Sequence, residues 1–271
     1  MKKEFARIND CKIAYALQGN NRLPVVVLSH ALATRGEIWS YQLPVLSNRF
    51  CVLTYDIRGH GESEAGGESY TFPLLASDVA KLLEHLNIAR IAFVGLSIGG
   101  MIGQQFALDY PDRLWGLVLC STGSATDEKA KSILEERICR VRAEGLGGQV
   151  LPTLTRWFTK RFIEEAPCTM HWVSDLVLST SVQGYLGCCR ALQELDFTNQ
   201  LAQIRTKTLL IPGAEDAGFP EKSSRIIQDQ IAHSEVAVLQ GAAHLGCVER
   251  PHAFNEILVR FLSKAQPENL T

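Results

Sequence analysis

Several sequence signals are missing from this chain of 271 residues, and each absence argues against a class of function. The chain has no Cys-x-x-Cys pair and no His-Glu-x-x-His, so neither of these zinc-binding spacings is present. It also has no Gly-x-Gly-x-x-Gly after a strand, which argues against a dinucleotide site. The formal net charge of −2 gives no reason to expect nucleic acid or an acidic membrane as a partner. We therefore expect no metal and no cofactor.

Long apolar segments are absent as well. No apolar run approaches the ~20 residues that a membrane-spanning helix needs, and residues 1–10 lack the apolar region of a secretory signal. The eight cysteines are expected to be reduced thiols rather than a disulfide framework, because Cys51 and Cys120 fall in apolar runs. The sequence therefore predicts a soluble, cytoplasmic protein.

Strand and helix patterns alternate near both ends of the chain. An amino-terminal hairpin is predicted at 5–8 and 12–17, and buried strands are predicted at 24–29, 51–55, 91–94, 114–120, 208–211 and 236–239. Helices are predicted at 37–46, 72–86, 101–110, 221–230 and 251–264. Such alternation predicts an α/β fold with a mostly parallel sheet flanked by helices.

The pattern changes between residues 122 and 205, where it is helical throughout. One of the helices predicted there runs from 150 to 162. We interpret the segment as a helical cap over the carboxyl edge of the sheet. The predicted organisation is a core made of residues 1–122 and 206–271, with residues 123–205 as the cap.

The stretch IAFVGLSIGGM, at residues 91–101, places the motif G-x-S-x-G between a buried strand and a helix. This context predicts a tight turn that exposes Ser97 as a nucleophile, with the N–H of Ile98 free at the start of the helix to bind an oxyanion. Neighbours in such a turn must lack a Cβ, and three glycines provide the room: Gly95, Gly99 and Gly100. The alternative is an ordinary turn in which Ser97 only caps the helix.

A serine nucleophile needs a histidine to remove its proton, and that histidine needs a carboxylate to orient it. Asp216 follows the strand predicted at 208–211, and His244 precedes the last helix, so the order serine, acid, histidine is that of a known type of triad. Glu215 is the alternative acid. The other histidines are interpreted as loop-shaping or site-lining (His30, His60) or as structural or solvated (His85, His171, His233, His252).

The second oxyanion donor is expected in the loop after the strand predicted at 24–29. This loop reads His30-Ala31-Leu32-Ala33-Thr34. Within this loop, the N–H of Leu32 is the preferred candidate to bind the oxyanion together with the N–H of Ile98. Ala31 is predicted to line the site.

Five segments carry a wider resemblance: SHALA, YDIRGHGES, GLSIGGMIG, LLIPGAED and GAAHLGCVERP. With these in register, the chain resembles the α/β-hydrolase family over nearly its whole length. It is most similar to the 3-oxoadipate enol-lactonases, through GGMIGQ at 99–104, Trp157-Phe158 and GYLGCCRAL at 184–192. The resemblance implies cofactor-free hydrolysis of a cyclic enol ester that bears a carboxylate. Two features depart from the family pattern: loop 30–33 has no glycine, and Phe219 stands where a small or polar residue is common.

An anionic lactone requires a cation near the nucleophile, and the predicted cap offers Arg137, Arg142, Arg156, Lys160, Arg161 and Arg190. We select Arg137 as substrate-binding, together with Trp157, Phe158, Phe219 and Ala31. The alternative for each cation is a solvated helix face. The alternative for Trp157 and Phe158 is a core within the cap itself.

The leading hypothesis is a hydrolase in which Ser97 attacks the ester carbonyl, His244 takes its proton and Asp216 orients the imidazole. Water then hydrolyses the acyl-enzyme. Other functions remain open: an esterase or lactonase on small neutral esters, a perhydrolase of the cofactor-free haloperoxidase type, and a non-catalytic ligand receptor. A small ester or lactone is the expected partner, and the sequence does not predict the oligomeric state.

Overall fold

A computed structural model describes residues 2–67 and 69–266, and within them it contains one eight-stranded sheet. The strands are β1 Glu4–Ile8, β2 Cys11–Gln18, β3 Val25–Ser29, β4 Cys51–Tyr55, β5 Ile91–Leu96, β6 Leu114–Cys120, β7 Thr208–Ile211 and β8 Ser234–Val236. Their order across the sheet is β1-β2-β4-β3-β5-β6-β7-β8. Strands β1 and β2 pair antiparallel, β2 is antiparallel to β4, and the rest are parallel. The predicted mostly parallel sheet is confirmed.

Nine of the helices lie between strands in chain order within the described residues, and the last two follow β8. The helices are α1 Leu43–Leu46, α2 Phe72–His85, α3 Ile98–Asp109, α4 Glu128–Glu144, α5 Val150–Trp157, α6 Lys160–Glu165, α7 Pro167–Leu178, α8 Val182–Gln193, α9 Glu221–Gln230, α10 Gly246–Glu249 and α11 Pro251–Ala265. Helices α4 to α8 are consecutive between β6 and β7, so the chain between residues 128 and 193 is mostly helical, as predicted.

The central strands form the core because both faces of the sheet are covered. Every residue of β5, β6 and β7 is buried, as expected for parallel strands that read as continuous apolar runs. Helix α3 contacts β5, β6 and α2, and ten of its residues are buried, as expected for a helix with no clear polar face. The carboxyl ends of β5, β6 and β7 therefore meet at one edge of a rigid sheet.

Two predicted helices are broken in the structure. The helix expected at 37–46 is a 3-10 turn, Gly36–Trp39, followed by the short α1, because Pro44 has no N–H and sits in the first turn of a new helix. The helix expected at 150–162 is interrupted at Phe158, which is extended (φ −128°, ψ 152°). Thr159 then caps α6, accepting a hydrogen bond from Phe162 N–H.

The strand predicted at 236–239 lies earlier in the chain. Strand β8 covers Ser234–Val236, and Leu239 forms only an isolated bridge to Gly213. An apolar run alone does not fix register, which here is set by pairing with β7. Strands β4, β6 and β7 and helix α9 have the predicted bounds.

All eight cysteines are free thiols. Six of them are buried, whereas Cys139 and Cys168 are exposed on helices. None of the helices within the described ranges is both long enough and apolar enough to span a membrane.

The loop after β4 is held by a buried ion pair. The Arg58 guanidinium donates to both carboxylate oxygens of Asp78, each at 2.6 Å, and the two side chains are 3% and 4% exposed. Replacing the carboxylate leaves a buried cation without this partner. We therefore expect Asp78→Ala to lower the free energy of unfolding by roughly 3–5 kcal/mol, measured by urea unfolding.

The matched control is Glu221→Ala, which breaks the exposed pair between Arg225 and Glu221. This pair is open to solvent, so its loss should cost less than about 1 kcal/mol. Equal losses in the two variants would contradict a special role for the buried pair.

Candidate active site

Ser97 occupies the turn between β5 and α3 with φ 57° and ψ −118°. Residues other than glycine rarely adopt positive φ. The Ser97 N–H donates to the Cys120 carbonyl at 2.9 Å, and the Ser97 carbonyl accepts from the Thr122 hydroxyl at 2.8 Å. These bonds hold a conformation that costs of order 1–3 kcal/mol. The Ser97 side chain makes no capping hydrogen bond, so the interpretation of Ser97 as a simple helix cap is not supported.

The glycines around Ser97 allow unusually close backbone contacts. A Cβ on Gly99 would lie 2.4 Å from the Ser29 carbonyl oxygen, and one on Gly95 would lie 2.2 Å from the Gly99 carbonyl oxygen. A Cβ on Gly100 would lie 2.9 Å from the side chain of Thr122. The predicted need for glycine at these positions is thus a matter of space, since a larger residue would displace backbone atoms at Gly95 and Gly99 and the Thr122 side chain at Gly100.

Asp216 and His244 are joined at the carboxyl edge of the sheet. Nδ1 of His244 lies 2.8 Å from Oδ2 of Asp216, and both side chains are buried. Burial acts to raise the pKa of Asp216, but His244 and the N–H groups of Phe219 and Gly218 outweigh it and hold that pKa below its usual value. The alternative acid, Glu215, is exposed.

A cavity of about 660 Å³ contains both Ser97 and His244 in its lining. Four other predicted site residues line it too: Leu32, Arg137, Trp157 and Phe219. Ser97 and Asp216 are far apart in the sequence, and the parallel strands bring their loops together at one edge of the sheet. A serine, a histidine held by a carboxylate and nearby main-chain donors are the groups that acyl transfer requires.

Two predicted substrate-binding residues do not line this cavity. Ala31 is fully buried in the core. Phe158 is also buried, and its ring packs on Phe162 at 5.4 Å between centroids. Phe158 follows the end of α5, and its ring packs against a residue of α6. This contact agrees with the alternative interpretation, in which Phe158 belongs to a core within the helical segment.

Two aromatic rings lie nearly parallel to the imidazole of His244. The Phe219 ring is 5.7 Å away at an interplanar angle of 26°, and the Trp157 ring is 6.3 Å away at 22°. Phe219 belongs to the loop that carries Asp216, whereas Trp157 ends α5. The His244 ring is therefore contacted from the core and from the helical segment.

The main-chain donors predicted for an oxyanion come from two segments that are in contact. Ile98 is the first residue of α3, where an N–H has no acceptor within the helix. Leu32 lies in the loop after β3 and lines the cavity. The close approach of Ser29 to Gly99 brings this loop against the start of α3.

The direction of the Leu32 N–H follows from the contacts of the preceding carbonyl. The Ala31 carbonyl accepts from the N–H and the hydroxyl of Thr34, at 3.1 and 2.8 Å. Nε2 of His30 accepts from the Ile57 N–H, so the His30 proton is on Nδ1 and donates to the same Ala31 carbonyl at 2.8 Å. The C=O and N–H of one trans peptide point in opposite directions, so the Leu32 N–H points away from these donors.

His30 and His60 are fully buried neighbours with rings 5.3 Å apart. Burial, reinforced by His60, lowers the pKa of His30 to about 3. Burial also lowers the pKa of His60 to about 4. Both histidines are therefore neutral near pH 7. Neither lines the cavity, and both hydrogen-bond to the main chain of the loops around them. Residues 2–67 and 69–266 contain no cluster of three or more His, Cys, Asp or Glu side chains able to hold a metal.

Two arginines line the cavity close to each other. Burial and the charge of Arg137 lower the pKa of Arg156 to about 10, and both side chains line the cavity. In the part of the chain that the structure describes, neither arginine forms an ion pair with a carboxylate. The cavity therefore presents two guanidinium groups that are not ion-paired, although Asp127 also lines it and the charge of Asp216 acts on Arg156.

The sequence offered no reason to prefer Arg156 among the cations of the helical segment. Lys160 and Arg161 instead form exposed pairs one helical turn apart with Glu164 and Glu165. Spacing on each helix could distinguish these paired charges, but the proximity of Arg156 to Arg137 depends on how the helices of this segment pack together.

Comparison with known proteins gives a consistent result. Residues 24–164 match a family described as alpha/beta hydrolase fold. The 3-oxoadipate enol-lactonase 2 of Acinetobacter baylyi is 34% identical over 93% of this chain and 94% of its own length.

Solved structures agree with the sequence comparison. The enol-lactonase from Burkholderia xenovorans LB400 is 32% identical, with a TM-score of 0.93 over 96% of this chain and all of that one. A thermophilic esterase from Thermogutta terrifontis, solved with malate bound, is 28% identical with a TM-score of 0.92 over 98% of this chain and all of that one.

The lowered pKa values of His30 and His60 predict sensitivity to acid. In the unfolded chain, histidine has a pKa of about 6.5, so on acidification the unfolded chain binds these protons first. The contribution of these histidines to the free energy of unfolding is fully present above that pH. It falls as the pH decreases toward their pKa values in the folded protein, about 3 and about 4. Each histidine should contribute a loss of about 1.4 kcal/mol per pH unit within this window.

Urea unfolding at pH 7.0 and 4.5 tests this expectation. His60→Gln should lose roughly 2 kcal/mol less than the unsubstituted protein over this interval, because one buried titrating group is removed. The exposed His233→Gln is the control. An unchanged loss in His60→Gln would contradict the assignment.

Proposed function

The chain belongs to the α/β-hydrolase fold family, and from this premise we propose that it is a serine hydrolase that opens a small lactone bearing a carboxylate. The leading substrate is 3-oxoadipate enol-lactone. The proposed partner is this small molecule, and the chemistry needs no cofactor.

In the proposed mechanism, the hydroxyl of Ser97 attacks the lactone carbonyl while Nε2 of His244 takes its proton. Asp216 holds Nδ1 of the imidazole and stabilises the imidazolium that forms. The N–H groups of Ile98 and Leu32 bind the oxyanion of the tetrahedral intermediate. The ring opens as the enolate oxygen leaves with a proton from His244, and a water activated by His244 then hydrolyses the acyl-enzyme.

One observation carries the choice of an anionic substrate: the cavity that contains Ser97 and His244 also contains Arg137 and Arg156 without carboxylate partners. Two like charges in a partly dehydrated cavity raise each other's free energy, and a bound carboxylate relieves this cost. Planar guanidinium groups bind carboxylates through two parallel hydrogen bonds. The arrangement thus favours a substrate whose carboxylate lies a short distance from its ester carbonyl.

The helical segment supplies this charge. We propose that residues 123–205 act as a cap that completes a site whose nucleophile, acid and base belong to the core made of residues 1–122 and 206–271. Two relatives support the substrate class: the proteins from Acinetobacter baylyi and Burkholderia xenovorans are enol-lactonases. The Thermogutta terrifontis esterase binds malate, which is a dicarboxylate.

The substrate assignment is tested by comparing kcat/KM for 3-oxoadipate enol-lactone with kcat/KM for the neutral p-nitrophenyl acetate. We expect the lactone to be strongly preferred, because it alone places a carboxylate near the arginines. Ser97→Ala should abolish turnover of both substrates, since removing a triad nucleophile costs on the order of 10⁶-fold in kcat.

Each outcome of this comparison has a different meaning. Preference for the neutral ester would replace the lactonase proposal by a general carboxylesterase with the same catalytic residues. Turnover that survives in Ser97→Ala would reject the mechanism itself. The absence of turnover with either substrate in the unsubstituted protein would favour a ligand receptor.

The role of the arginines is tested separately with Arg156→Met and Arg137→Met. Each should raise KM for the enol-lactone roughly 10- to 100-fold, because a hydrogen bond to a charged group contributes about 1.5–3 kcal/mol. The values for p-nitrophenyl acetate should change little. Arg140→Met, on the exposed side of α4, is the matched control. Equal effects on both substrates would indicate a structural role instead.

A further inference from the structure

The main chain on both sides of His244 is fixed by hydrogen bonds. The N–H of Leu245 donates to the Trp157 carbonyl at 3.1 Å, and the N–H of Ala243 donates to Oε2 of Glu249 at 2.8 Å. Trp157 ends α5 in the helical segment, whereas Glu249 ends α10, just after His244 in the chain. The segment that carries His244 is therefore held by a contact from outside the core and by a carboxylate of its own.

That carboxylate also reaches the helical segment. Oε1 of Glu249 accepts hydrogen bonds from the N–H of Thr159, at 3.1 Å, and from the hydroxyl of Thr159. The Glu249 side chain thus connects Thr159 to Ala243 through its two oxygens. Glu249 is only 4% exposed, so its oxygens depend on these donors in place of water.

The ring of Trp157 adds a third contact on the same side. It lies nearly parallel to the His244 imidazole, with 6.3 Å between centroids. Residues 157–159 therefore contact the His244 ring through Trp157 and the His244–Leu245 peptide through the Trp157 carbonyl. They also reach the Ala242–Ala243 peptide through Thr159 and Glu249. We call residues 157–159 the anchor segment.

We propose that the anchor segment and Glu249 position His244, so that the helical segment takes part in catalysis through the base as well as through the arginines. The inference rests on the proposed role of His244 as the base. The hydrogen bond that the Nδ1–H donates to Asp216 restrains one edge of the imidazole, but the ring can still shift with its main chain. Glu249 restrains that main chain, because a buried carboxylate that loses one of its donors is left with an unsatisfied oxygen.

This assignment makes Glu249 a positioning residue with a measurable signature. Misplacing a catalytic group by about 1 Å can cost on the order of 100-fold in rate. We expect Glu249→Gln to lower kcat by about 10- to 100-fold, with little change in KM, because an amide N–H would face the N–H of Ala243 or the donors of Thr159. The loss should be similar for 3-oxoadipate enol-lactone and p-nitrophenyl acetate, since the base serves both.

Variants of Thr159 test the other end of the connection. Thr159 also caps α6 through Phe162 N–H, so Thr159→Val removes two interactions. Thr159→Asp keeps a capping oxygen but places a second carboxylate against Glu249. We expect Thr159→Asp and Thr159→Val to lower kcat. Thr159→Ser keeps the hydroxyl, so its kcat should stay close to that of the unsubstituted protein. Thr155→Val is the matched control, because the Thr155 hydroxyl bonds only within α5 at an exposed position.

A spectroscopic measurement separates positioning from general destabilisation. The proton between Nδ1 of His244 and Asp216 gives a low-field ¹H NMR resonance, and we expect it to shift or broaden in Glu249→Gln and Thr159→Asp. Urea unfolding identifies the variants that remain folded under assay conditions. If Glu249→Gln does not fold, the Thr159 variants decide the question.

The outcomes distinguish this inference from the proposed function. Unchanged kcat and an unchanged resonance in folded Glu249→Gln or Thr159→Asp would overturn the inference alone, provided Ser97→Ala is inactive. A selective rise in KM for the lactone would also overturn it, because that pattern belongs to substrate binding. If only the neutral ester is turned over, the lactone assignment fails while the test of His244 still stands.

Discussion

The contact between the end of β3 and the start of α3 is the constraint on which the candidate site depends. The Ser29 carbonyl approaches Gly99 so closely that no side chain fits between them. This contact brings the loop that carries Leu32 against the N-terminus of α3, and the tight turn required there places Ser97 at positive φ. Two main-chain donors and a strained serine therefore arise from one packing requirement.

The buried and half-buried charges discussed above fall into two groups. Arg58 has a carboxylate partner of matching geometry in Asp78, and Glu249 accepts hydrogen bonds from donors on two segments. Arg137 and Arg156 face a cavity without carboxylate partners in the described chain. Satisfied charges hold segments together, whereas uncompensated charges cost free energy unless a ligand supplies the missing partner. This contrast connects the fold to the proposed recognition of an anion.

Most strands and helices were predictable because their signals are local. The apolar runs of β4, β6 and β7 have the bounds that the sequence predicts, since a strand covered on both faces needs apolar residues at every position. The errors occur where the outcome depends on other segments. The register of β8 is set by β7, and the helix expected at 150–162 breaks at Phe158, where the next N–H, that of Thr159, donates to Glu249 instead of to a carbonyl of α5.

By itself, the sequence determined the G-x-S-x-G turn around Ser97, the order of the candidate acid and base, and the helical character of the inserted segment. These features follow from backbone sterics and periodicity over a few residues. Only the tertiary structure decided that Arg156 lies beside Arg137 at the cavity, that Phe158 packs away from it, and that Glu249 connects the helical segment to the main chain of His244. Such contacts join residues far apart in the chain, and their geometry depends on how whole helices pack against the sheet.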